Sequence, residues 1–97
     1  MLFLVIETFR NGDPDPVGAR FQEHGRMLPP GVLVHHSWID AAGARCYQLM
    51  EAEAGAALEA WMCRWSDLID FEVIPVVASP AYWANRSRSS GGPHSAH

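Results

Sequence analysis

Nearly all the side chains of this sequence that could do chemistry fall in one stretch, Gly31 to Ala52, which reads GVLVHHSWIDAAGARCYQLMEA. It holds His35, His36, Trp38, Arg45, Cys46, Tyr47 and Gln48; Glu7, far upstream, is the one charge in an apolar run. Adjacent strand residues point to opposite faces, so His35 and His36 cannot chelate one ion, and no HxH, HxxxH or CxxC spacing supplies further ligands. No metal and no cofactor is expected. An imidazole at His36 facing an amide at Gln48 suits either a hydrogen-bonded pair in a core or the polar end of a pocket walled by Trp38. Arg45 beside Tyr47 could receive an anionic group. A thiolate nucleophile needs a base or a positive charge nearby, and Cys46 faces Trp38 in the expected pairing, so it reads as packing. Glu7 is either buried with a raised pKa, which would suit a general base, or at the strand's open end.

These residues are positioned by a hairpin. Asp40-Ala41-Ala42-Gly43 reads as a type I turn closed by a left-handed glycine, giving a three-residue loop with Asp40 opposite Ala44. Counting back pairs Trp38 with Cys46, His36 with Gln48 and Val34 with Met50. One face then carries Val34, His36, Trp38, Cys46, Gln48 and Met50, and the other Leu33, His35, Ser37, Ile39, Arg45, Tyr47, Leu49 and Glu51. A slip of one residue would exchange the faces. Which face meets the helices decides whether His36 or His35 lines a cavity.

The rest of the chain supplies a frame for that hairpin. Leu2 to Phe9 is a strand apolar on both faces, which places it centrally. Asp13-Pro14-Asp15-Pro16 starts a helix whose stripe is Val17, Phe21, His24 and Leu28, stopped by Pro29-Pro30-Gly31. A second helix spans 54–68, with Trp61 and Trp65 on its core face. Asp70 to Ala78 is the last strand, and Pro75 consigns it to a sheet edge. Ser79 to Ala84 is a short turn of helix bearing Tyr82 and Trp83. Residues 1–84 thus form one domain, and 85–97, lacking large apolar side chains, form a flexible polar tail. The order βαββαβ defines an α+β, ferredoxin-like fold: a four-stranded antiparallel sheet with both helices on one face.

Two helices cannot cover both faces of strands that are apolar on both. Each large apolar side chain left in water forfeits roughly 1.5–3 kcal/mol. A second copy packed sheet against sheet is the economical cover, so a homodimer is expected. Ninety-seven residues with 48% apolar and 19% charged content suit one globular domain. A net charge of -4, with scattered basic residues, argues against nucleic acid. LFLVI is too short for a signal peptide or a membrane span, and two cysteines make no disulfide framework, which together point to the cytoplasm.

MLFLVIETF, RMLPPG, SWID with ARCYQLMEA, and WMCRWSDLIDFEVIPV together resemble the bacterial family known as domain of unknown function 3303, over about residues 1 to 84. That family resembles the dimeric α+β barrel superfamily, which includes cofactor-free monooxygenases, lactone isomerases and stress-responsive small proteins. The resemblance implies the dimer and the fold but no reaction and no site residues. The expectation is a homodimer that binds, and could convert, a small organic molecule in a pocket on the sheet. The alternative is a non-catalytic interaction module without a cavity, engaging a partner through Tyr82 and Trp83.

Overall fold

The structure, a computed structural model, describes residues 1–90, with side chains through residue 87. Its elements are β1 (Leu2–Phe9), α1 (Asp15–His24), β2 (Leu33–Ile39), β3 (Arg45–Glu51), α2 (Gly55–Met62), β4 (Ile69–Val76) and α3 (Ser79–Ser90). The four strands form one antiparallel sheet in the order β2-β3-β1-β4. The ferredoxin-like βαββαβ arrangement is therefore present, with β1 and β3 central and Pro75 on an edge. Alternation assigns the faces: Phe3, Val5, Glu7 and Phe9 of β1 are buried, as are Cys46, Gln48 and Met50 of β3. They pack with Leu58, Trp61, Trp65 and Ile69 into a single core. The opposite face carries Leu4, Ile6, Tyr47, Leu49 and Ile74, placed side by side by the ladder register.

The hairpin register differs from the expected one, and the turn explains it. Asp40 donates its N–H to the Arg45 carbonyl at 3.0 Å, so the loop has four residues rather than three. Gly43, at φ 77°, donates to the Asp40 carbonyl at 2.9 Å, as the type I turn requires. The Asp40 carboxylate then takes the Ala44 N–H at 2.9 Å, removing that donor from the ladder. Next to the turn, Ile39 pairs with Cys46, Trp38 with Tyr47, Ser37 with Gln48 and His36 with Leu49. A β-bulge at His35 absorbs the extra residue, and beyond it Val34 meets Met50 as expected. His36 and Trp38 therefore share a face with Tyr47, while Gln48 lies on the other side of the sheet.

Both helices end earlier than their patterns predict. α1 stops at His24 because Gly25 turns left-handed at φ 67° and returns its N–H to the Phe21 carbonyl. Leu28 is thus outside the helix, and α1 buries no residue at all. α2 stops at Met62, and 63–68 wind on as tighter turns, with Arg64, Trp65 and Leu68 N–H groups bonded three residues back. Cys63 is exposed there. α3 runs on to Ser90, past Ala84 where the expected short helix ends, since extending a nucleated helix costs little per residue. The remainder of the expected tail, 91–97, lies outside the described residues.

Asp40→Ala should cost about 1 kcal/mol, because the half-buried Ala44 N–H loses its acceptor, whereas Asp40→Asn keeps an oxygen there and should cost less. Urea denaturation of the two variants checks this; equal losses would mean that charge, not the acceptor, holds the turn.

Candidate functional site

α1 stands off from the sheet, and the space beneath it is a cavity of about 310 Å³. Its walls are Phe9 and Ile69 from the sheet, Val17 and Phe21 from α1, and Trp61 and Trp65 from the second helical segment. Its polar edge consists of Glu7, Gln48, Cys46, Ser37 and Arg26. The titratable groups among them come from three separate places, β1, β3 and the loop after α1.

Glu7 is the centre of this edge. Only 4% of it is exposed. Burial pushes its carboxyl up from 4.5 to about 7, against the smaller opposing pulls of the Gln48 hydrogen bond and the Arg26 charge. Gln48 donates its amide to Glu7 Oε2 from the diagonal position across the β1–β3 ladder. The Gln48 carbonyl in turn accepts from Arg26 Nε at 3.4 Å. Glu7 also sits directly opposite Cys46. Burial, and then the neighbouring Glu7, push the Cys46 thiol up, so it stays protonated at neutral pH. Ser37 Oγ lies 3.6 Å from its sulfur.

Arg26 is held by its own backbone. The indole N–H groups of Trp61 and Trp65 both donate to the Arg26 carbonyl, each at 3.0 Å. Arg64 donates to the next carbonyl, that of Met27. These bonds hold Met27 at φ 59°, a left-handed conformation that costs a non-glycine residue about 1–2 kcal/mol. Nothing in the residue pattern of RMLPPG announces this, since it depends on two tryptophans more than thirty residues downstream. The tryptophans, which their spacing marks only as core, are thus also clamps. Their spacing of four puts both indoles on one side of the segment, which is the signal that could have been read.

The residues expected to form a site are divided by the sheet. Gln48 and Glu7 line the cavity. His36 stacks on Trp38 with ring centroids 5.4 Å apart, but on the open face, where Trp38 is 54% exposed. His35, in the bulge, meets Glu51 Oε1 at 2.7 Å. Arg45 and Tyr47 share the open face with Thr8 and Ile6. A pocket built jointly from His36, Trp38 and Gln48 is therefore excluded by the register. Among the described residues, no cluster of three His, Cys, Asp or Glu could hold a metal ion, and no helix is long and apolar enough to cross a membrane.

The family model described as Domain of unknown function (DUF3303) matches residues 1–86, and the chain belongs to that family. No curated protein and no solved structure matches it.

A carboxyl whose pKa rises on folding makes stability fall with pH. The folded state keeps a proton that the unfolded chain releases above pH 4.5, so Glu7's contribution is complete below that pH and is lost as pH rises through about 7. The full effect is about 3 kcal/mol. Glu7→Gln should remove this decline; urea denaturation of both proteins from pH 4 to 8 measures it. Parallel curves for the two would mean Glu7 is not titrating in this window.

Proposed function

We propose that this protein binds a small organic molecule in the cavity between the sheet and the helices and exchanges a proton with it through Glu7. One observation carries the reading: a carboxyl raised to about 7 opens onto an apolar cavity of about 310 Å³. A general acid or base works best when its pKa lies near the working pH, and here burial supplies that match. Gln48 fixes the carboxyl from one side, and Glu7 itself is almost wholly buried beside the aromatic walls. The cavity is of the size that takes drug-sized organic molecules. Acid–base chemistry of this kind needs no cofactor.

The functional unit in this reading is a homodimer in the cytoplasm. The support is the open sheet face, where Leu33, Trp38 and Ile74 are 55%, 54% and 36% exposed beside Leu4, Ile6, Tyr47 and Leu49. Apolar side chains grouped this way favour a covered state, and a second copy offers a complementary surface. The two free cysteines, one of them exposed, suit a reducing compartment.

Native mass spectrometry of freshly purified protein tests both parts at once. The expected spectrum is a dimer with additional mass from a bound small molecule, and Leu4→Arg, in the middle of the open face, should give monomers. A wild-type monomer would contradict the dimer. A bare dimer that takes up none of a panel of small aromatic compounds would favour the interaction module built on Tyr82, which is exposed, and Trp83, which is half-buried.

A further inference from the structure

We infer that the cavity selects an organic acid, an amphipathic molecule whose carboxylate sits on the Arg26 guanidinium while its apolar body lies along Phe9, Phe21, Trp61 and Trp65. This rests on the reading of the cavity as a ligand pocket and specifies the charge of what enters it.

The observation behind it is an arginine held in place with most of its donors unused. Arg26 is half-buried in the cavity wall. Its side chain makes one long hydrogen bond, from Nε to Gln48, and its guanidinium carbon lies 5.4 Å from the Phe21 ring centroid. Among the described residues its two terminal nitrogens make no hydrogen bond, and none of the ion pairs includes it. Arg20 shows the contrast, with both terminal nitrogens on the Asp67 carboxylate at 2.7 Å. A guanidinium presents paired N–H groups in a fixed fork that matches a carboxylate in two parallel bonds. The two indole bonds to the Arg26 carbonyl hold the backbone that carries this fork, so less ordering remains to be done on binding.

The charge balance of the cavity points the same way. The charged and titratable groups lining it are Glu7 on β1, Cys46 on β3 and Arg26; α1, α2, β2 and β4 contribute none. Below about pH 7 Glu7 carries a proton, and the Cys46 thiol is neutral, so the lining is net positive. The chain as a whole is at -4, so this cavity departs in sign from the rest of the molecule. An incoming anion and an ionised Glu7 compete for the same cation. Affinity for an acid should therefore fall as pH climbs past Glu7's pKa, by up to about tenfold per pH unit.

Calorimetric titration with 2-naphthoate and with its neutral isostere 2-naphthamide tests this on the full chain. At pH 6 the acid should bind at least tenfold more tightly than the amide. Arg26→Met should abolish that preference, and Arg26→Lys, which keeps the charge but not the fork, should retain part of it. Glu7→Gln should bind the acid with an affinity that no longer declines between pH 6 and 8. An amide bound as tightly as the acid by the wild type would overturn the inference while leaving the pocket intact. A preference that survives Arg26→Met would also overturn it, by placing the acid elsewhere. Binding of neither probe would overturn it together with the pocket reading.

Discussion

Two indole N–H groups converging on one carbonyl oxygen hold the architecture around the cavity together. Trp61 and Trp65 reach across from the second helical segment to Arg26, just past the end of α1. The contact fixes the loop after α1, sustains the left-handed turn at Met27 and leaves α1 spanning a space instead of filling it. Without that clamp, collapse of α1 onto Glu7, Phe9 and Cys46, which line the space, would be the favourable path, since apolar surface gains by closing voids. The same tryptophans then wall the space they keep open.

The clamp also accounts for the state of Glu7. A carboxylate buried in a lining it shares with Phe9, Trp61 and Ile69 is too poorly solvated to stay ionised at its usual pH, and the single Gln48 amide and the Arg26 guanidinium offset only part of the cost. The molecule therefore carries a protonated acid and an unmatched cation in one small volume. That arrangement is unfavourable for stability alone: replacing a half-buried arginine and a buried carboxyl with aliphatic residues would remove desolvation on both counts. Local inconsistencies of this kind are where function is expected to reside.

Much of the fold is written in local pattern. β1 is legible residue for residue because its apolar run is bounded by Met1 and Asn11-Gly12, and the βαββαβ order follows from turns that leave few other connections. Glu7 stands out for the same reason, as the one charge in a central strand. The hairpin is less legible, because the Asp40 carboxylate, accepting the Ala44 and Arg45 N–H groups, lengthens the loop and moves His36 and Trp38 across the sheet from Gln48. The one-residue compensation at His35 leaves the far end of the hairpin as expected, so only the chemistry-bearing half is displaced. Arg26 is invisible in the sequence, since its role depends on partners at 48, 61 and 65 that only the tertiary fold assembles.

The measurement that tests the account most directly is a carbon-13 NMR titration of the Glu7 side-chain carboxyl in the folded protein. A midpoint near 7, moved upward in Arg26→Met by loss of the neighbouring positive charge, is what the buried acid and its cation require. A midpoint near the ordinary 4.5 would mean that water or another donor solvates Glu7, and the cavity would then hold no acid–base group poised for neutral pH.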